Sequence, residues 1–197
     1  AHTGDACMEH AGHVIGADHA CQANIMAAPG VWPAMSEAFA AAEGNLARRL
    51  LAALDAAEAA GGDIRGRQSA AMLVVGAEGE PWDRLVDLRV EDHPEPLEEL
   101  RRLLGLADAY REAGEGDRLS AEGDFDEAAA RYLAAYELAP QCVELEFWAG
   151  LSMALRDPER GTEHVRAAVR RHPGWADLLA RLSPEDAPAA PEVARRL

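Results

Sequence analysis

Gly116 and Gly150 stand 34 residues apart, and Pro140 and Pro173 stand 33 apart. A spacing of that size is the period of repeats built from paired helices, each of which buries its apolar face only against its neighbours. It commits the second half of the chain to helices. Within GDFDEAAARYLAAYELAP, residues Gly123, Phe125, Ala128, Tyr132, Ala135 and Pro140 fall where the second helix of such a pair needs them. The small Ala side chains let two helices approach, and Tyr132 fills the gap beside them. The second copy is one residue short.

Residues 106–183 thus read as a tetratricopeptide-like helical region. Such arrays need about three units to be stable, so two copies must lean on the rest of the chain. The tail, residues 184–197, is rich in Pro and Ala and is expected to be loosely ordered. Residues 1–105 are different, mixing strand and helix signals. GHVIG and CQANIMA are short runs bounded by Gly, Asp and Pro, consistent with two strands. Pro33 suits the first turn of a helix through PAMSEAFAAAE. Asn45 can cap the next helix, where Leu46, Leu50, Leu54 and Ala57 form an apolar stripe that Gly61 ends. GDIRGRQ reads as a loop, SAAMLVV as a buried strand and RLVDLRVED as a half-buried one. A further helix follows the prolines of HPEP.

At 197 residues and 49% hydrophobic content the chain can bury a core. With only 5% aromatics, that core must be mostly Ala, Leu and Val. All 19 basic residues are Arg, which excludes a Schiff-base lysine, a pyridoxal-phosphate anchor and a Walker-type phosphate loop. A net charge of −16 argues against nucleic acid as a partner. No apolar run reaches the roughly 18 residues that span a bilayer, so no membrane association is expected. There is no basic segment followed by an apolar run to read as a signal peptide, and three cysteines fit a reducing cytoplasm. The chain opens on Ala1 and runs straight into strand-like sequence, which reads as the interior of a longer protein.

Most of the metal-type ligands crowd the start: His2, Cys7, His10, His13, His19 and Cys21. Spacings of three align only on a helix, and Gly4, Gly12 and Gly16 argue against one there. On a strand, residues three apart point to opposite faces. No C-x-x-C or H-E-x-x-H pattern occurs, so neither a metal nor any other cofactor is expected. In GGDIRGRQSAAMLVV, polar groups precede an apolar strand. Arg65 and Arg67 can hold a carboxylate by two-pronged hydrogen bonds, or Asp63 can pair with either of them for folding alone. In RVEDHPEP, Asp92 can orient His93, or the pair can simply cap the following helix. Ser69 has no adjacent base in sequence.

Taken together, HTG, AGH..G....CQAN, VWPAMSEAF, LARRLLAALDAAEAAGGDIRGRQSAAMLVV and VDLRVEDHPEPLEELRRLL resemble a bacterial family of unknown function assigned to the N-terminal-nucleophile (Ntn) hydrolase fold. The resemblance runs from Ala1 to about Leu104. It implies an α+β fold: a partial αββα sandwich followed by the all-α helical region. Some members are similar in carrying a helical or peptidoglycan-binding extension. Family members have a leading segment before HTG that supplies the first strands, so a sandwich without it is expected to expose a sheet edge and either self-associate into a homo-oligomer or rely on the missing segment. In Ntn hydrolases a free N-terminal Thr, Ser or Cys is the nucleophile and its own amine the base. Ala1 can do neither, and Thr3 could do so only after loss of Ala1 and His2, so the nucleophile is expected to be missing from this chain. The residues matching the family pattern are the candidate site. Asn24, Asp63, Ser69 and His93 are the catalytic candidates, and Gln22, Arg65, Arg67, Gln68, Arg89 and Asp92 the substrate-binding ones. Asn24 would donate to an oxyanion. The function implied is hydrolysis of a small amide or peptide-like substrate. The alternative is a non-catalytic module in which residues 106–183 bind a protein or peptidoglycan partner. A metal-dependent hydrolase would rest on the opening cluster alone.

Overall fold

A computed structural model describes residues 1–80 and 82–197. The chain is α+β and divides into two compact units, Ala1–Leu104 and Gly105–Leu197. In the first unit, β1 (Gly12–Ile15) and β2 (Ala20–Ala23) form an antiparallel hairpin with His13 opposite Gln22 and Val14 opposite Cys21. Period-two alternation turns Cys21 into the core and leaves Gln22 exposed. Helix α1 (Val31–Ala41) packs on this hairpin. Gly12 is required there: a Cβ would lie 2.2 Å from the Trp32 ring.

Asn45 accepts a hydrogen bond from Arg48 N at 3.0 Å and so caps α2 (Leu46–Ala59). Strands β3 (Ala70–Val75) and β4 (Arg84–Val90) form a second antiparallel pair, with a register break at Val74/Val75. Ala47 and Leu51 of α2, Met72 and Val74 of β3, and Val86 and Val90 of β4 form one core with Leu100 and Leu104 of α3 (Pro96–Ala121).

The apolar stripe of α2 flanks its most buried face, and one expectation, for β3, needs correction. The centre of α2's buried face is Ala47, Leu51 and Ala53. The stripe Leu46, Leu50, Leu54 and Ala57 lies to one side, and its three leucines line an apolar groove of about 430 Å³ with Met35, Phe39 and Leu73. Strand β3 is not buried on both faces. Met72 and Val74 are inside, whereas Leu73 and Val75 are 58% and 53% exposed. An unbroken apolar run cannot by itself tell a doubly covered strand from a singly covered one.

The second unit is entirely helical: the rest of α3, then α4 (Phe125–Leu138), α5 (Val143–Met153), α6 (Pro158–Arg171), α7 (Gly174–Leu179) and α8 (Ala190–Arg196). Ala109 and Ala113 of α3 meet Ala128, Tyr132 and Ala135 of α4, and Tyr132 Oη donates to Asp117 at 2.7 Å. Phe147 of α5 is fully buried, stacked on Trp175 at 4.8 Å and edge-on to Trp148 at 5.2 Å. Asp157 caps α6 with Pro158 beside it, while Arg170 and Arg171 complement the carbonyl end of the helix. The tail expected to be loose is ordered. Ser183 donates to Asp186 through its N and its Oγ, and Val193 of α8 is fully buried against the α5–α6 core. Its residues Ala187, Ala189 and Ala190 are buried, and Pro191 sits in the first turn of α8, where a proline is tolerated. Among the described residues, no helix is long and apolar enough to cross a membrane.

Candidate functional site

The chain leaves β2 through a strained step. Ile25 adopts φ 65°, a left-handed conformation that β-branched residues rarely take. That turn lets Ile25 O accept from Ile64 N at 3.0 Å and Ala27 N donate to Gly62 O at 3.0 Å. The loop following α2 is thereby stitched to the end of β2. Gly61 at φ 122° and Gly62 at φ 60° make the reversal that delivers it, and a Cβ on Gly62 would fall 2.8 Å from Glu58 Oε2. Further along, Gln68 O accepts from His93 N at 2.9 Å, tying the start of β3 to the end of β4.

These ties enclose a cleft of about 690 Å³ within the first unit. Gln22, Asn24, Asp63, Arg65, Arg67, Gln68, Ser69 and Asp92 all line it, so eight of the ten candidate residues converge. Met26, Val31, Met35 and Leu54 supply its apolar wall. Arg89 and His93 are not among its lining residues. Arg89 lies on the exposed face of β4, 3.9 Å from Asp87. His93 Nδ1 accepts the Glu95 backbone N–H at 3.0 Å, so the ring serves the turn that leads into α3.

Residues 1–100 match the family of unknown function DUF1028. The chain belongs to that family. A crystal structure of a DUF1028 protein from Silicibacter pomeroyi is similar at 39% sequence identity and a TM-score of 0.46, over 52% of this chain and 42% of that one. The chain therefore spans about two fifths of the length of that relative. None of the curated proteins matches it.

The electrostatics of the DUF1028 cleft are set by its internal pairs. Arg65 grips Asp63 with both prongs, Nε to Oδ1 at 3.0 Å and Nη2 to Oδ2 at 2.7 Å, and its backbone N adds a third bond at 2.8 Å. Arg67 binds Glu58 at 2.5 Å and also pairs with Glu95. Both guanidiniums are thus engaged within the protein. By contrast, among the described residues no hydrogen bond or ion pair engages the side chains of Gln22, Gln68, Ser69 or Asp92. What the cleft presents to a ligand is the amides of Gln22 and Gln68, the Nδ2 of Asn24, a hydroxyl and a carboxylate.

The Arg65 side-chain bond, reinforced by the Arg65 backbone N–H, lowers the Asp63 pKa from 3.8 to about 2. A carboxyl depressed in the folded state contributes stability above its unfolded pKa, and that contribution is lost as pH falls through the folded value. We expect thermal stability to drop between about pH 4 and pH 2 as Asp63 is protonated. In Asp63→Asn that part of the pH profile should flatten. An unchanged profile would show that the pair does not hold the loop.

The His- and Cys-rich opening has other roles. Thr3 Oγ1 lies 2.6 Å from His13 Nδ1. His19 bridges Asp18, at 3.1 Å from Nδ1, and Ser36, at 2.8 Å from Nε2, and packs on Phe39. Among the described residues, no three His, Cys, Asp or Glu side chains gather to hold a metal. Sequence reasoning missed both hydroxyl–imidazole pairs because each joins residues ten or more positions apart.

Proposed function

We propose that the DUF1028 segment is a hydrolase of small amide or peptide-like substrates working in the 690 Å³ cleft. The observation that carries this reading is the convergence of eight candidate polar residues from three separate stretches of sequence on one cavity of ligand size. Helices laid over two strand pairs are what one half of an αββα Ntn-type sandwich provides. Asn24 accepts from Met8 N through Oδ1, which leaves its Nδ2 as a donor for a developing oxyanion. Because Arg65 and Arg67 are engaged, the substrate is held through the amides of Gln22 and Gln68 and the Asp92 carboxylate. Amine-bearing or neutral amides are favoured over acidic ones.

A panel of dipeptides and small amides incubated with the 197-residue chain tests this reading. We expect turnover of at least one neutral or amine-bearing member, falling by about 100-fold or more in Asn24→Ala, as for other oxyanion donors. Arg102→Ala, outside the cleft, should leave it intact. No hydrolysis anywhere in the panel would remove the hydrolase reading.

For residues 106–183 the proposal is a tetratricopeptide-like protein- or peptidoglycan-binding region. One repeated device supports it. Gly116 admits the Tyr132 ring, and 34 residues later Gly150 admits His164 and Val165, each from the helix that follows.

A further inference from the structure

We propose that Thr3 is the nucleophile of the DUF1028 site, with His13 as its base. The inference rests on the hydrolase reading and names the group that reading lacks. The Thr3 Oγ1–His13 Nδ1 separation of 2.6 Å is the hydrogen bond that a hydroxyl nucleophile and its base must make. It does not arise from neighbours in sequence: Thr3 precedes the hairpin, and His13 is held in β1 directly opposite Gln22.

Thr3, His2, Cys7, Gln22 and Asn24 line a cavity of about 340 Å³. Gln22, Ala23 and Asn24 line the 690 Å³ cleft as well, so the two cavities share a wall. Thr3 lines the smaller cavity, Gln68 and Asp92 line the larger, and Gln22 and Asn24 line both, so a substrate that reaches Thr3 is held at that shared wall. The other hydroxyl–imidazole pair, Ser36 with His19, lacks this setting. Ser36 sits within α1, where backbone N–H groups are taken up by the helix, and it lines neither cavity.

With its proton on Nε2, His13 Nδ1 accepts the Thr3 hydroxyl proton as Oγ1 forms a bond to the substrate carbonyl carbon. The oxyanion is stabilised by Asn24 Nδ2. On collapse the C–N bond breaks, and the proton on Nδ1 passes to the departing amine. Water, deprotonated by the same Nδ1, then cleaves the acyl–Thr3 ester and the proton returns to Oγ1. The sum is amide plus water giving acid plus amine. No free α-amine takes part, which separates this dyad from the self-activating N-terminal residue of Ntn chemistry.

The test is labelling of the full 197-residue chain with a fluorophosphonate, which phosphonylates an activated hydroxyl with loss of fluoride. The expected result is one adduct that maps to Thr3. It should be absent in Thr3→Val, retained in Thr3→Ser and slowed about 100-fold in His13→Gln, within the range for loss of a general base. Circular dichroism confirms that each variant is folded, and Thr3→Ser keeps the test valid if Thr3→Val is not. An adduct at Ser36, Ser69 or elsewhere, or unchanged labelling of Thr3→Val, overturns the proposal. Amide turnover that survives in Thr3→Val overturns this assignment alone. A wild-type chain with neither turnover nor labelling overturns the hydrolase reading too.

Discussion

Replacing Gly161 by Ala should lower the melting temperature of the helical unit by roughly 5–15 °C, although the substitution places the best helix former where a poor one stood. Two effects oppose each other. Glycine in a helix interior costs about 1 kcal/mol relative to Ala, so an open position gains that much from the change. At Gly161, however, a Cβ would fall 2.5 Å from Ala154 N, 2.5 Å from Gly150 O and 2.6 Å from Ala154 Cα. All three are backbone atoms, so no rotamer change relieves the clash and α5 and α6 must separate. Overpacking of this kind costs about 1–3 kcal/mol and more where backbone must move. Separation would also loosen Val165 and Phe147, both fully buried. Gly114 is the matched control. It lies exposed within α3 with nothing within 4 Å of its would-be Cβ, so Gly114→Ala should stabilise by up to about 1 kcal/mol. Thermal melts of the two variants should move in opposite directions. If Gly161→Ala also stabilises, the helices do not approach as closely as the structure places them.

The same pair shows what can be read from sequence and what cannot. The 34-residue spacing of Gly116 and Gly150 is visible as a period, but that each faces the following helix is shown only by the fold. Gly161, whose would-be Cβ comes closest to backbone atoms, belongs to no visible spacing. Local signals were legible throughout. The strands GHVI and ACQA, the Asn45 cap and the Gly61 reversal follow from the chemistry of a few adjacent residues. Coverage was not legible: LVV in β3 reads as buried on both faces, yet Leu73 and Val75 face outward, because what lies on a sheet face is decided by distant residues. In the site, the convergence of Gln22, Asp63 and Asp92 could be anticipated from polar residues at strand ends. The partners of Arg67 could not. Glu58 lies nine residues before it and Glu95 twenty-eight after, and only the folded chain shows which carboxylates a guanidinium meets.

Leu100→Ala should destabilise the first unit by about 2–5 kcal/mol and abolish any activity that depends on its cleft. Leu100 and Leu104 are fully buried one helical turn apart on α3, against Leu51, Met72, Val86 and Val90. Removing the Leu100 branch loses its transfer free energy and leaves a cavity that rigid neighbours on three elements cannot fill. A unit of about 100 residues has roughly 5–15 kcal/mol of stability in total, so the loss is a large fraction of it. The neighbouring ion pair makes the comparison sharp. Arg101 Nη2 reaches both Asp55 oxygens at 2.7 Å, joining α3 to α2, but the side chains are 38% and 42% exposed. An exposed pair contributes only about 0–1 kcal/mol, so Arg101→Ala should shift the denaturation midpoint far less than Leu100→Ala. Leu97 and Pro96 line the cleft one turn before Leu100, so the cavity beneath them reaches the site as well as the core. Urea denaturation of the two variants checks the ranking. If Arg101→Ala proved the more damaging, the ion pair rather than the apolar core would be what fixes α3 beside the cleft.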